Sequence, residues 1–442
     1  VVRQQKSREA IVGQHSLSVG ILVDLEWGLY AGGHVKCWER FAEAAIDFPQ
    51  IDLTIYYLGN KPQEIAIAPN VRYRILPPML GTKHIPFLHE RSRNTDLSPY
   101  HLGLVWQLRQ HDVLHITSAF SFARTAHWIA QRYKVPLVCS THTDLGSFTR
   151  IYSQEIIRRI LVWEWLVNLI WERWKLGERL EQQMMRRWHK LISDSDWVLL
   201  SKPEDFPVMQ KFVSQSRLSR LRRGIDQQRF HPQHRDRALL QTTFGIPPEV
   251  PVLLFVGRVD ESKRIMTLAQ AACQLLDQGY ALHVLIVGEG TAKAKIQQLL
   301  APHITLTGVL PQESLAWIYA SADMFVFPSD SEISPNVVLE AKSSGLPVFV
   351  AAHSGSVQFI QQPDRDGIVI KNSSPQAWAE ALKPYLQDLQ MRDGVSQAAR
   401  QYIEQCHPSW REVFQEDLLP IWQKMKFLSH NKLGITSTGR RK

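Results

Sequence analysis

Short apolar runs alternate with amphipathic stretches along most of the chain. Ser16–Asp24 (SLSVGILVD) is apolar almost throughout and predicts a strand buried on both faces. It leads to a loop containing Gly32 and Gly33, after which the spacing predicts a helix over Val35–Ala45. Ile51–Tyr57, Val71–Ile75, Asp112–Thr117 and Pro136–Ser140 predict further strands, with a helix over Ala123–Tyr133 between the last two. His189–Ser193 predicts the last strand of this half. The alternation restarts after residue 220. Pro251–Gly257 (PVLLFVG) and Leu282–Gly288 (LHVLIVG) predict strands, each followed by a helix, over Ile265–Asp277 and Ala292–Leu300. Ile304–Thr307, Met324–Pro328, Pro347–Val350 and Gly367–Ile370 add shorter strands. Such alternation predicts parallel, doubly wound sheets, here in two α/β domains of similar size that join near residues 215–225.

One segment breaks this rhythm. Glu155–Arg187 predicts one long helix, or a pair meeting at Gly177. With Trp188 beside it, the segment carries Trp163, Trp165, Trp171 and Trp174, five of the fourteen tryptophans, and it is flanked by arginines. A wide apolar face of this kind packs in a core or lies in a membrane interface.

Composition bounds the function. The 442 residues are 44% hydrophobic and 21% charged, which excludes a disordered or collagenous chain. Cys37, Cys139, Cys273 and Cys406 lie far apart and without metal or redox spacing, so they read as reduced core thiols of a cytosolic protein. The first eighteen residues contain no apolar stretch of the kind a secretory leader carries. Leu161–Trp171, the longest apolar stretch, falls short of the ~20 residues that span a bilayer. The net charge of +9 is uneven: residues 150–223 and 424–442 each carry +6, residues 1–15 carry +2, and the rest sums to −5. Basic tails read first as solubilising ends, and the folded body lacks the basic surface of a nucleic-acid binder.

Candidate chemistry gathers at strand ends, where open α/β sheets bind ligands. In Ser329–Pro347 (SDSEISPNVVLEAKSSGLP), Ser334–Pro335 predicts a helix start with serine as the cap, and Gly345 predicts its end. Glu332 would then precede the helix and Glu340 would lie on it, with the N–H groups of Asn336 and Val337 facing outward. Those donors suit an anion such as a diphosphate, and the carboxylates suit sugar hydroxyls. By spacing alone, two solvated glutamates at a helix terminus fit as well. Arg258 follows PVLLFVG, and Lys263 comes five residues later; the two could neutralise a phosphate or simply cap the loop. Gly288-Glu289-Gly290 and Gly32-Gly33 are weak phosphate-loop signals alone.

Taken in order, these elements resemble the family-4 glycosyltransferases over nearly all of residues 16–423. The likeness is strongest over Leu221–Pro347, which includes LRRGIDQQRFHP and VFPSDSEISPNVVLEAKSSGLPV. With VPLVCSTHTD, it points to the branch that forms glycolipids, such as sulfoquinovosyl-diacylglycerol synthase and mannosyl-glycolipid enzymes. The resemblance implies the GT-B fold, with two facing Rossmann-like domains and a cleft between them. Residues 1–218, joined by a returning helix over 409–430, would bind acceptor; residues 219–408 would bind the nucleotide sugar; residues 431–442 would be a basic tail. It implies a retaining, metal-independent hexosyltransferase using a UDP- or GDP-linked sugar and no cofactor. Arg258 and Lys263 would hold the donor diphosphate, Glu332 and His142 would face the donor sugar, and Glu340 would hold the ribose. Gly32, Gly33, Gly288, Gly290, Ser334, Asn336 and Val337 would complete the donor site. The acceptor would be a membrane-associated lipid, and the protein would sit on the cytoplasmic face of a membrane, held by residues 150–223 and the basic tails.

One departure touches the donor. Ile333-Ser334-Pro335 stands where the family has a glycine-rich turn, and Pro335 has no N–H to offer a sugar. A soluble or polysaccharide acceptor, a sugar-nucleotide epimerase and a non-catalytic nucleotide-sugar binder remain the alternatives.

Overall fold

The computed structural model describes residues 16–28, 31–81, 96–141, 176–330 and 332–438. It divides into two compact units, Val1–Arg222 with Arg411–Lys442, and Arg223–Trp410.

The first unit is built on an eight-stranded sheet in the order β3-β4-β2-β1-β5-β6-β7-β8. Its strands are β1 (Leu17–Glu26), β2 (Ile51–Leu58), β3 (Gln63–Ala68), β4 (Val71–Leu76), β5 (Val113–Ile116), β6 (Leu137–Ser140), β7 (Trp197–Leu200) and β8 (Leu218–Arg220). All neighbours are parallel except the β3–β4 pair. β1 and β2 are buried along nearly their whole length, so both faces are apolar. Helices α1 (Gly33–Ala45), α2 (Val105–Leu108), α3 (Ser121–Tyr133) and α4 (Leu176–Asp194) accompany the sheet. Strand order reverses between β1 and β5, so the loops after these two strands flank the crevice where such sheets take ligands.

His189–Ser193 is not a strand. It belongs to α4, because Trp188, Leu191 and Ile192 are helix-spaced and all three are buried. The strand comes after the turn at Ser195–Asp196, as β7. Trp188 therefore packs in the core, while Trp163, Trp165, Trp171 and Trp174 lie outside the described residues. The edge strand β3 was not legible: QEIAIA is largely exposed and alternates only weakly.

The chain returns to this unit at its end. A one-turn helix at Trp410–Val413 and a π turn at Phe414–Leu418 lead into a helix over Leu419–Thr438, whose backbone continues past residue 430. Arg222 grips Asp417 with both side-chain and backbone donors and reaches Glu416 at 2.5 Å. Trp422 donates to His115 Nδ1 at 3.2 Å, and His115 Nε2 sits 2.9 Å from Ser140 Oγ. Burial holds the His115 imidazole down to about 3, so it stays neutral.

The second unit carries a six-stranded parallel sheet in the order β11-β10-β9-β12-β13-β14. Its strands are β9 (Val252–Val256), β10 (His283–Val287), β11 (Ile304–Gly308), β12 (Met324–Phe327), β13 (Val348–Ala351) and β14 (Ile368–Ile370). Helices α5 (Arg237–Phe244), α6 (Ile265–Asp277), α7 (Lys293–Leu300), α8 (Gln312–Ser321), α9 (Asn336–Ser343), α10 (Pro375–Gln387) and α11 (Leu389–Cys406) surround it. This is the dinucleotide-fold strand order, and it reverses between β9 and β12.

The cysteines are free. Cys37 and Cys139 are core thiols, but Cys406, at the last position of α11, is exposed rather than buried.

Candidate active site

The loops after β9 and β12 flank the reversal point of the second sheet, and they bring most of the expected donor residues together. After β9, Gly257 (φ 153°) turns the chain into Arg258. The Arg258 guanidinium is half exposed and lies 2.9 Å from both Asp260 Oδ2 and Ser262 Oγ. Lys263 forms an ion pair with Glu332, in which both side chains are mostly buried. Ser329 Oγ donates to the same Glu332 oxygen at 3.2 Å. The next residue, Arg264, adopts a left-handed conformation (φ 50°) and pairs with Asp330 at 2.6 Å. A non-glycine residue held there costs energy, and the second ion pair offsets that cost.

Glu332 is held from a third side, which the sequence did not reveal. The N–H of Gly355, in the loop after β13, donates to the Glu332 carbonyl at 2.8 Å. A Cβ at Gly355 would lie 2.0 Å from the Ile333 carbonyl oxygen, so only glycine permits this approach. Gln358 Nε2 donates to the same Ile333 carbonyl at 2.7 Å. The one hint in the sequence is a glycine a few residues past an apolar strand, as in the loops after β9 and β10.

Gly288 and Gly290 have a packing role. A Cβ on Gly288 (φ 147°) would lie 1.8 Å from the Gly257 carbonyl oxygen, and one on Gly290 would lie 2.1 Å from that of Val259. Val259 N donates to Glu289 O at 2.9 Å, and Ala292 N donates to Val259 O at 3.0 Å. The glycines therefore bring this loop under the backbone that presents Arg258.

The helix α9 begins one residue later than expected. Pro335 is its cap, in an extended conformation, and the Ser334 hydroxyl makes no capping bond. A residue before proline is pushed away from helical geometry, which keeps Ser334 out of the first turn. Ser334 Oγ and Asn336 Oδ1 are buried without a hydrogen-bond partner among the described residues. The first N–H groups of a helix, here those of Asn336 and Val337, also lack intrahelical acceptors. The Ser334 hydroxyl and these N–H donors, at the positive end of a helix dipole, fit a phosphate oxygen, whereas Asn336 Oδ1 can only accept and suits a hydroxyl. Glu340 is buried in α9 and accepts a 3.0 Å bond from Tyr319 Oη on α8. Lys342 fixes the back of α9: fully buried, it binds Asp366 at 2.9 Å and the Phe359 carbonyl at 2.6 Å. Burial pushes its ammonium down to about 8. Gly345 (φ 73°) ends the helix as expected, with Gly345 N on Lys342 O and Leu346 N on Ala341 O.

In the first unit, Gly32 caps α1 and Gly33 opens it. Among the described residues nothing lies within 4 Å of where a Gly33 Cβ would sit, so their packing does not demand a glycine. His142 lies outside the described residues. The buried Asp24, near the end of β1, accepts from Phe122 N at 2.6 Å and Ala123 N at 3.2 Å, the first turn of α3. Ser118 Oγ donates to it as well. Burial outweighs these bonds and raises its carboxyl to about 6. Among the described residues, no three His, Cys, Asp or Glu side chains are grouped as metal ligands would be. Nor, among them, is any helix long and apolar enough to cross a membrane.

Comparison with known proteins fits this geometry. Residues 250–388 match the family model described as glycosyl transferases group 1. A D-inositol 3-phosphate glycosyltransferase of Nocardia farcinica is 30% identical over 350 residues, covering 74% of this chain and 70% of that one. This chain belongs to the group 1 glycosyltransferases. Sulfoquinovosyl transferase SQD2 of Arabidopsis thaliana is another relative, 26% identical over 74% of this glycosyltransferase. A GDP-mannose-dependent alpha-mannosyltransferase of Mycobacterium tuberculosis is 29% identical over 59% of it. The chain spans about three fifths of the length of these last two, 59% and 60%. Among solved structures, sucrose-phosphate synthase from Thermosynechococcus elongatus superposes with a TM-score of 0.68 at 17% identity, covering 92% of this chain and 99% of that one. WaaG, a glycosyltransferase involved in lipopolysaccharide biosynthesis, gives 0.63 at 16%, covering 93% and 99%. The glycosyltransferase thus has the GT-B fold, with a parallel-sheet α/β architecture in each unit.

Proposed function

We propose that this glycosyltransferase moves a hexosyl group from a UDP- or GDP-linked sugar to a membrane-associated lipid acceptor, with retention of anomeric configuration and without a metal. The observation that carries the donor half of this reading is the convergence of Arg258, Lys263, Glu332 and the N-terminus of α9 at the β9/β12 reversal point. In the reaction, the bond between the anomeric carbon and the diphosphate oxygen breaks. The acceptor oxygen bonds to that carbon on the same face, and its proton passes to the departing diphosphate. Negative charge builds on the leaving group, where Arg258, Lys263 and the helix donors stabilise it. Glu332 accepts hydrogen bonds from the sugar, and Glu340, oriented by Tyr319, accepts from the ribose. Gly32, Gly33 and His142 would act from the first unit. Gly288 and Gly290 shape the Arg258 loop, and Ser334, Asn336 and Val337 supply donors at α9.

The lipid acceptor rests on the resemblance to the glycolipid-forming branch and on the relative named sulfoquinovosyl transferase. On this reading the protein works at the cytoplasmic face of a membrane, attracted to anionic lipid by residues 150–223 and its basic ends. A second reading has its own support: a relative of which this chain covers 70% is named for D-inositol 3-phosphate, a soluble phosphorylated polyol.

One assay separates the readings. Radiolabelled sugar from a panel of UDP and GDP donors is offered to total lipid extract and, separately, to inositol phosphates. Label entering the lipid fraction is the expected result. Label entering only soluble polyols sinks the lipid acceptor, and a new sugar nucleotide formed without acceptor identifies an epimerase.

A further inference from the structure

The first unit exposes an aromatic and cationic face that the transfer reaction does not use. On α2 and the turn before it, Leu102 and Trp106 are 66% and 73% exposed. At the end of α3, Trp128 and Tyr133 are also exposed. Arg109 ties the two elements together, its guanidinium 5.0 Å from the Trp106 ring and 4.1 Å from that of Tyr133. The Arg132 guanidinium lies 5.4 Å from the centre of the Tyr133 ring.

The charge on this face has one sign. Residues 97–111 and 119–135 contain Arg109, Arg124, Arg132 and Lys134 and no Asp or Glu. Arg124 is turned inward onto the Ser98 carbonyl. Arg109, Arg132 and Lys134 are exposed, with no carboxylate partner among the described residues. The carboxylates on either side of residues 97–111 are engaged elsewhere, buried Asp96 by Ser121 Oγ and Asp112 by Lys426, as are Glu64 by Arg74 and Asp194 by His127.

We propose that the Leu102–Trp106–Arg109 and Trp128–Tyr133 surface docks the protein on an anionic lipid bilayer. Indole and phenol rings suit the headgroup level, and exposed Leu102 adds an aliphatic side chain that enters the acyl boundary. Arginine and lysine without counter-charges complement anionic lipid. Nucleic acid would gain nothing from Leu102, which has no stacking face. The proposal rests on a membrane-associated acceptor, but its residues are other than those of the Trp-rich segment and the basic ends.

The test sediments the full chain with phosphatidylcholine vesicles, with or without phosphatidylglycerol. The chain pellets with the anionic vesicles only, and less so as salt is raised. The variant Trp106→Ser/Arg109→Gln changes only exposed side chains and keeps the wild-type melting temperature. Its apparent affinity for anionic vesicles falls on the order of tenfold. Docking is overturned if the wild-type chain stays in solution, if the variant pellets equally, or if the substitution instead changes oligomeric mass or binding of single-stranded RNA. UDP and GDP binding is measured on both proteins by calorimetry. Its failure in the wild type would contradict the donor reading while leaving the vesicle result to stand alone.

Discussion

Lys263 and Glu332, 69 positions apart in the chain, form an ion pair that joins the loop after β9 to the loop after β12. In the proposed reaction the cation belongs to the leaving diphosphate and the carboxylate to the sugar. Without donor, each neutralises the other in a crevice where an unpaired charge would be costly. Donor binding must therefore exchange one partner for another at Lys263.

This exchange makes the Glu332→Gln variant diagnostic. A neutral amide releases Lys263, so UDP or GDP binds the variant as tightly as the wild type or severalfold more tightly. Transfer falls about 100-fold, the scale of losing one group that stabilises the transition state. Calorimetry and a transfer assay on the same preparation check both halves. Weaker nucleotide binding combined with unchanged transfer would contradict the exchange.

Two glycines separate packing from ligand contact. In Gly355→Ala the new Cβ meets the Ile333 carbonyl, so the Glu332 segment must shift. Stability falls by about 1–3 kcal/mol, and transfer falls with it. In Gly33→Ala none of the described residues is crowded. Thermal stability is retained and the donor KM rises, because the added methyl group meets only a ligand. A destabilised Gly33→Ala protein, or one with unaltered kinetics, would count against a diphosphate at that loop.

Much of this was legible in the sequence, for physical reasons. Strands such as VLLFV and HVLIV are buried on both faces, so their apolar runs are uninterrupted. Arg258, Lys263, Glu332 and Glu340 follow such runs or the helix signals after them, and the second unit brings them to one sheet end. What failed was short-range. His189–Ser193 offers only the apolar pair Leu191–Ile192, and the longer helical spacing through Trp188 places it in α4. Contacts across the fold were invisible for a different reason. Nothing in the sequence says that Gly355 approaches Ile333, that Arg264 reaches Asp330, or that Trp422 meets His115 across 307 positions.

Buried titrating groups set the acid stability of the first unit. Burial lowers His111 to about 4 and His115 to about 3, against 6.5 for an ordinary histidine. The unfolded chain therefore takes up two protons that the folded unit refuses, and stability is lost as pH falls below 6.5. Asp24 acts in the opposite direction. Raised from 3.8 to about 6, it holds a proton in the folded unit that the unfolded chain has released. Between pH 6 and 4 these three groups give a net of one proton, about 1.4 kcal/mol per pH unit, and the lowered His189 and Asp96 act in the same direction as the two histidines. Trp38 and Trp422 both pack edge-on against His115, so tryptophan emission reports the melt. The melting temperature drops over this range, and His115→Gln flattens the dependence. A wild-type profile already flat between pH 6 and 4 would contradict the assignment.

The central claim is that Arg258 stabilises the leaving diphosphate, and one comparison tests it directly. Arg258 is about half exposed and contacts only its own loop, at Asp260 and Ser262, so Arg258→Ala retains the wild-type melting temperature. Single-turnover transfer from the preferred sugar nucleotide is then measured for both proteins, with release of the nucleoside diphosphate followed in the same samples. Sugar transfer and diphosphate release fall together in the variant, by about 100-fold or more. A folded Arg258→Ala protein that transfers sugar at the wild-type rate would contradict it.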